Sequence, residues 1–515
     1  MKNKWLSILG LGVVFIVFFF FQFKALRNHS QSFYFQDETE HVTLGWMLQR
    51  FDKDLYIDIS SNHQPLPILV GAAFSKVIKF NSLFQLIERT RLLMFAFGML
   101  GSLFLSIRFK WSGLLSSILL QSVIYYYFGW HVLAESLVVP MIQFMMLSLW
   151  SLYHTKKVTK WIFIFDAVVM GLSSWWIIFS LLALWPFVLV VNLIYALLLF
   201  KKHQLKLFTI SSSMVLLLTG IMFYFISPIA WWGETIFNPV KYFIPYLPYL
   251  DLVKRLEILF YPLLNAIKFT HFVGRWFLVL SLALSIHVAF KRKILLPLVA
   301  WCLLVLLNLR VYIPTQLFFT GFHLLPLMAG SATVTSIFLL KLIKIKSISK
   351  LGIGIVFLLL LINNNGWWAE VKDKQNESDI QYGTFQSLAH AINSIKENDD
   401  QLFSAPNGHG YLNMMTDLSI AGRQLFHLPW AYRSPKLRAE FEELMKNNPP
   451  TFIYFHADKD GYSHQLSAIV KKDYSEIKRT NGDHTNLFIR KDRIFLISKL
   501  QLNQLEHYQY QLISN

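Results

Sequence analysis

The sequence is short of charged residues and of cysteine, and it lacks the common nucleotide- and metal-binding motifs. Charged residues make up only 15% of its 515 positions, against about 25% in soluble proteins, while 55% are hydrophobic. A single cysteine, Cys302, excludes an internal disulfide. There is no Walker-type phosphate loop, Rossmann glycine fingerprint, Cys/His zinc spacing or Gly-x-Ser-x-Gly elbow. These absences argue against a soluble enzyme and leave a cytoplasmic nucleotide-driven reaction unsupported.

The positive charge that is present is distributed unevenly. Lys and Arg exceed Asp and Glu by 48 to 30, a net charge of +18. Residues 364–515 hold 17 basic and 18 acidic residues, so residues 1–363 hold the remaining 31 and 12. Because the whole excess lies in the half made of long apolar runs, it indicates membrane topology, and we predict no nucleic-acid partner.

The long apolar runs predict eleven membrane spans. A further run at 65–80 is short and carries Lys76 and Lys79, so we place it in the membrane interface. The segments predicted to be cytoplasmic then hold 17 basic residues and no acid, as the positive-inside rule expects. If 65–80 crossed, most of that charge would be exported. The predicted spans lie near 5–26, 92–107, 113–130, 134–153, 161–176, 177–200, 207–227, 270–290, 294–309, 316–340 and 351–363.

The predicted fold class is a polytopic α-helical membrane protein with a small α/β domain at its carboxyl end. Residues 1–363 form the transmembrane catalytic domain, with long outer loops at 27–91 and 228–269. Residues 364–515 form a soluble extracytoplasmic domain, with strands predicted at 401–404, 451–455 and 486–489. We therefore expect a multi-pass protein of the cell membrane, with its amino terminus in the cytoplasm and its carboxyl-terminal domain outside.

Acidic residues predicted to lie at the outer membrane surface are the first candidates for catalysis. Asp37 and Glu38 follow the first span, and His63 lies further along the same loop; a carboxylate there can act as general base or metal ligand. Glu135 begins the fourth span, four residues after His131. A solvated loop acid or an acid favoured by a helix N-terminus would have the same pattern, but two carboxylates on one side form a more specific signal than either alone.

Cationic residues at the same depth are the second ingredient. Arg310 follows the ninth predicted span, and His323 lies early in the tenth. Both can hold a phosphate and neutralise charge that develops on a leaving group. Snorkelling to lipid head groups is the alternative for Arg310, and a helix–helix hydrogen bond is the alternative for His323. Asp166, within a span, has no partner that the sequence identifies.

These motifs, taken in order along the chain, resemble the GT-C glycosyltransferases. Within that superfamily they resemble the bacterial protein-mannosyltransferase and lipid A aminoarabinose-transferase type. Asp37-Glu38 and the His63-Gln-Pro-Leu66 element resemble that family's first outer loop, and Glu135 falls where its second acidic residue lies. Arg310 and His323-Leu-Leu-Pro326 resemble its late motif, and residues 449–490 resemble the outer domain that many members carry.

The resemblance implies an inverting transfer from a polyprenyl-phosphate-linked sugar to a lipid, glycan or protein acceptor. Asp37 would be the base, Glu135 would orient the acceptor or bind a divalent cation if one is used, and Arg310 with His323 would stabilise the departing phosphate. No cofactor is required by the sequence. A flippase of the same lipid would place polar residues near the membrane midplane instead, and a polysaccharide polymerase or ligase would have its large outer loop between late spans.

Overall fold

Helices dominate the structure, a computed structural model that describes residues 2–31, 36–124, 129–155, 160–243, 272–292, 295–306, 322–342, 381–405, 410–427, 430–456 and 462–512. A 3₁₀ turn, Phe322–Leu324, precedes the last helix of the amino-terminal part. The helices of that part are α1 Lys2–His29, α2 Gln36–Arg50, α3 Pro65–Val77, α4 Leu83–Phe109, α5 Trp111–Gln121, α6 Ala134–His154, α7 Lys160–Ser180, α8 Trp185–Lys201, α9 Leu205–Phe225, α10 Pro228–Trp232, α11 Phe272–Arg292, α12 Leu296–Leu306 and α13 Leu325–Leu342.

Seven segments of the described residues are helical, long and apolar enough to cross a membrane. They overlap seven of the eleven predicted spans: Leu9–Arg27, Leu83–Phe109, Ala134–His154, Trp161–Ser180, Leu182–Lys201, Leu205–Phe225 and Phe322–Leu340. The predicted span at 351–363 lies outside the described residues, and the total of eleven stays a prediction. Helix α3 has only 13 residues, about 20 Å of helix, which is shorter than a bilayer's hydrocarbon core of about 30 Å. Its length agrees with an interfacial position for 65–80.

The carboxyl-terminal part contains the predicted α/β domain. Its sheet has the strand order β2-β1-β3-β5-β4-β6, parallel among the first three strands and antiparallel among the rest. The three predicted strands correspond to β1, β3 and β5, and the sequence reading missed the others. The strands are β1 Gln401–Ala405, β2 Ser419–Ile420, β3 Phe452–Phe455, β4 Tyr474–Arg479, β5 Leu487–Arg490 and β6 Tyr510–Leu512; the helices are α14 at 381–395, α15 Gly410–Thr416, α16 Pro435–Asn447, α17 Tyr462–Asp473, α18 Lys491–Ile494 and α19 Lys499–His507.

The chain forms two compact units that do not follow the sequence order. The first contains residues 1–30, 90–223 and 250–373, and the second contains 31–89, 224–249 and 374–515. In the second unit, α15 packs against α2 so closely that a Cβ on Gly410 would lie 2.6 Å from the Thr43 hydroxyl. The long first loop and the α/β domain thus share one folded unit. The predicted domain boundary at 363/364 falls outside the described residues and stays a prediction.

Polar side chains connect three helices inside the first unit. The Gln143 amide of α6 donates to the Ser116 hydroxyl of α5 at 2.7 Å, and that hydroxyl lies 2.9 Å from the Thr333 hydroxyl of α13. All three side chains are buried, where a hydrogen bond has no competition from water. On another side of α5, Gly113 lets the backbone approach the Leu105 carbonyl of α4. The hydrogen bonds through Ser116 fix α6 and α13 relative to each other.

Candidate active-site residues

The predicted residues Glu135 and His323, 188 positions apart, meet in the first unit. Glu135 lies in the first turn of α6, and His323 lies in the 3₁₀ turn that leads into α13. The His323 Nδ1 is 2.9 Å from the Glu135 Oε1, with side-chain exposures of 18% and 4%. Pro326, which suits the first turn of a helix, follows at once and fixes where the turn ends. His323 and Glu135 therefore form one hydrogen-bonded pair.

Of the two other predicted residues in this part of the chain, the structure describes His131 and not Arg310. His131 is 2% exposed and lies just before α6, in the turn that leads to Glu135. Arg310 lies outside the described residues, so its place as a phosphate ligand stays a prediction. Of the predicted phosphate ligands, Arg310 and His323, the structure describes His323 alone, and it places that histidine against Glu135.

Asp166 has a partner that the sequence reading did not find. The Arg108 Nε donates to its Oδ1 at 2.7 Å, and a second guanidinium nitrogen donates to its Oδ2. Arg108 lies in the last turn of α4 and Asp166 lies in α7, so the pair joins two helices. The two hydrogen bonds form the bidentate geometry typical of arginine and carboxylate. This contact gives Asp166 a structural role, apart from the candidate active-site residues.

In the second unit, the position of the first-loop candidates depends on a close crossing of α2 and α3. A Cβ on Gly45 would collide with the backbone of α3, and a Cβ on Gly71 would collide with the His41 carbonyl. Only glycine lets two backbones approach this closely. The crossing brings His41 of α2 beside the loop residue His63, whose ring lies 4.6 Å from the His41 ring.

A buried carboxylate, Glu40, lies at this crossing and was missed by the sequence reading. Its Oε2 is 3.5 Å from the His63 Nε2, and its Oε1 accepts a hydrogen bond from the Ser61 hydroxyl at 3.0 Å. Burial raises the pKa of the Glu40 carboxyl, but attraction from both histidines, with hydrogen bonds from His63 and Ser61, outweighs burial and lowers it. Glu40 is thus held as a carboxylate. Glu40 lies two residues after Glu38 and three after Asp37 in the sequence. Reading this segment as a helix instead of a loop would have drawn attention to it.

Asp37 and Glu38 occupy the first turn of α2, where a helix N-terminus favours negative charge. Glu38 is 1% exposed, whereas Asp37 is half-buried. The more accessible of the two predicted acids is therefore Asp37. A carboxylate that takes a proton from an incoming hydroxyl has to be reachable, and Asp37 meets that requirement better than Glu38 or Glu40.

The beginning of the second long loop is helical and is hydrogen-bonded to the first loop. Residues 228–243 form α10 and two π-helical turns, while the rest of the second outer loop, 244–269, lies outside the described residues. The Trp231 indole donates to the Gln64 amide oxygen at 3.2 Å, and the Ser60 hydroxyl donates to Glu234 at 2.8 Å.

Arg423 of the α/β domain completes this connection. Its guanidinium donates to the Tyr56 and Ile57 carbonyls at 2.8 and 2.6 Å, to Glu234 at 3.0 Å and to Glu440 at 2.9 Å. One side chain thereby holds the first loop, the 228–243 segment and the α/β domain together.

A metal site is not evident in the part of the chain that the structure describes. No group of three or more His, Cys, Asp or Glu side chains there is placed to hold an ion.

The arrangement of apolar helices with a small α/β domain is that of the GT-C glycosyltransferase fold. No family model matches the chain, and no curated protein sequence matches it. Two solved structures share its fold. ArnT from Cupriavidus metallidurans bound to undecaprenyl phosphate has a TM-score of 0.52 and 11% identity, covering 95% of this chain and 98% of that chain.

The apo structure of the same ArnT has a TM-score of 0.51 and 10% identity, with equal coverage. ArnT is a GT-C glycosyltransferase. At this identity the likeness is one of fold, and it confirms the fold that the sequence resemblance predicted.

Proposed function

We propose that this protein is an integral-membrane glycosyltransferase that uses a polyprenyl-phosphate-linked sugar and acts at the outer face of the membrane. One observation carries the proposal: 95% of the chain shares its fold with a structure of ArnT bound to undecaprenyl phosphate. A lipid-linked donor needs no nucleotide-binding loop, in agreement with the absence of such a motif from the sequence. The acceptor is a hydroxyl of a lipid, a glycan or a protein.

Asp37 is the general base of this proposal. The acceptor oxygen attacks the anomeric carbon of the sugar, its proton passes to the Asp37 carboxylate, and the bond from that carbon to the phosphate oxygen breaks. The polyprenyl phosphate leaves with the electron pair, and the anomeric centre inverts. The first turn of α2 supports this role because it combines partial exposure of Asp37 with a helix N-terminus, where negative charge is favoured.

His323 binds the leaving phosphate, and Glu135 holds the His323 ring in place, in addition to the acceptor-orienting role that the resemblance implied for it. Because the His323 Nδ1 faces Glu135 at 2.9 Å, the phosphate is to be bound through Nε2, with the imidazole ring between the two anions. The carboxylate orients the imidazole ring through this contact. Arg310 adds a second cation, and His63 and His131 contribute to the loops that admit donor and acceptor.

The experiment that tests the proposal compares Asp37→Asn with Asp54→Asn, an exposed acid of the same loop. The purified protein is incubated with a membrane extract that contains both polyprenyl-phosphate-linked sugars and the acceptors of the cell envelope, and released polyprenyl phosphate is measured by mass spectrometry. We expect release by the wild type and by Asp54→Asn, and none by Asp37→Asn at unchanged thermal stability. Full activity of Asp37→Asn would refute the base assignment. Lipid movement across liposomes without any release would favour a flippase instead.

A further inference from the structure

The α/β domain exposes one apolar patch, at the turn between its last two helices. Phe495 is 88% exposed, Leu496 62% and Leu500 68%. Among the described residues from 381 onward, the only other exposed large hydrophobic side chain is Tyr508, which follows α19. A soluble surface that concentrates its exposed apolar side chains in one place usually marks an interaction site.

The patch is a built feature and not a frayed end. Ser498 caps α19 with a complete capping box, in which Gln501 returns the hydrogen bond. Lys491 donates from α18 to the carbonyls of Lys471 and Lys472 at the end of α17. The chain is therefore held at both sides of the Ile494–Ile497 run, and Phe495 and Leu496 point outward from a fixed turn.

Lysines lie near the apolar side chains. The stretch from Ile494 to Leu505 has one charged side chain, Lys499. The flanking Arg493 and Asp492 are already paired, with Asp400 at 3.2 Å and with Arg490 at 2.6 Å. Lys471, Lys472 and Lys491 lie beside this stretch through the contacts just described. Aromatic and leucine side chains among lysines match the chemistry of an anionic membrane surface, where apolar groups enter the acyl boundary and lysines stay at the head groups.

We propose that the 494–500 turn docks the α/β domain onto an anionic lipid bilayer. The chain's apolar helices tether this domain to a membrane, so even a patch of low intrinsic affinity acts at a high local lipid concentration. A protein partner would have to be captured from solution, without that advantage. The proposal is independent of the transfer chemistry, because none of its residues belongs to the candidate active site.

The test places an environment-sensitive fluorophore on the full chain in nanodiscs that contain phosphatidylglycerol and a nitroxide-labelled lipid. With Cys302 replaced by serine, the label is attached at Asn503→Cys beside the patch, or at Glu443→Cys on α16 as the exposed control. We expect the nitroxide to quench the label at 503 at least threefold more than the label at 443. Phe495→Ser with Leu500→Ser should remove the difference, and Lys499→Glu should reduce it.

Equal quenching at the two positions would overturn the proposal. The label at 503 could instead be shielded only when a disc holds more than one protein, with no dependence on the nitroxide lipid. That result would assign the patch to a second copy of the chain. Because the transfer assay is run separately, loss of docking with intact sugar transfer distinguishes failure of this proposal from failure of the proposed function.

Discussion

The Glu135–His323 pair makes a quantitative prediction for lipid binding. The two side chains are 2.9 Å apart and mostly buried. At an effective dielectric constant of about 20, Coulomb's law gives a ceiling of about 6 kcal/mol for unit charges at this distance. A hydrogen bond to a charged group contributes about 1.5–3 kcal/mol net, because both partners lose their hydration. We therefore expect a coupling free energy of about 2 kcal/mol, or about 30-fold in affinity.

The perturbation is a double-mutant cycle of Glu135→Gln, His323→Asn and both together. If the pair binds the phosphate as one group, each single variant weakens undecaprenyl phosphate binding about 30-fold. Glu135→Gln removes the carboxylate that orients the imidazole, and His323→Asn removes the imidazole itself. The double variant should then bind about as weakly as either single variant. The repulsion between Glu135 and phosphate is the smaller effect, because the ring separates the two anions.

Native mass spectrometry of the detergent-purified chain, titrated with undecaprenyl phosphate, measures the affinities. Arg108→Gln with Asp166→Asn is the matched control, since it removes another buried ion pair of the same unit. The control should lower the unfolding temperature and leave the lipid affinity unchanged. A double variant about 1,000-fold weaker than the wild type, the product of the two single effects, would refute the idea that Glu135 acts through His323.

Three further predictions concern the second unit. Because the pKa of Glu40 is lowered from 4.5, its ionised form stabilises the fold above that pH; Glu40→Gln should cost about 2 kcal/mol at pH 7, and the difference from wild type should shrink as the pH falls below about 4.5. An undiminished difference at the lowest pH would contradict this. Burial lowers the pKa of His427 to about 3, so protonation of the unfolded chain below about 6.5 destabilises the fold by about 2 kcal/mol at pH 5. His427→Phe should abolish that loss in denaturant unfolding, and equal acid sensitivity of the variant would refute it. Arg423→Gln should speed amide hydrogen exchange in residues 54–60 and 228–243 about tenfold. Lys436→Gln should not, because the exposed Lys436 amine lies 4.0 Å from Glu234. Unchanged exchange in Arg423→Gln would show that the connection between these segments does not depend on Arg423.

The membrane-spanning helices and the individual acidic residues near them can be predicted from the sequence because both leave local signals. Long apolar runs identify spans, and an acid beside such a run is conspicuous because charge is costly at membrane depth. Glu135 and His323 were each identified in this way. Their contact was not, since it depends on how α6 pairs with α13 through Gln143, Ser116 and Thr333, a packing that no local pattern encodes.

The elements that the sequence reading missed share weak or misleading local patterns. Strand β4, Tyr474–Arg479, buries few apolar side chains and reads as a polar loop, and β6 has only three residues. Helix α2 is rich in polar residues, so the first loop was read without a helix, and Glu40 was passed over. Its role depends on the α2–α3 crossing, which two glycines 26 positions apart permit. A close backbone approach leaves no signal in hydrophobic periodicity.

The contrast between Asp37 and Glu40 bears on which carboxylate of α2 can be a base. A general base needs proton affinity and access to the acceptor. Glu40 has neither, because its pKa is lowered and it is buried between Ser61 and His63. Asp37, one turn earlier, is half-buried. The carboxylate that the fold stabilises most strongly is therefore the one least suited to take a proton, and we expect Glu40→Gln to retain transfer at temperatures where it stays folded, while Asp37→Asn loses transfer without losing stability.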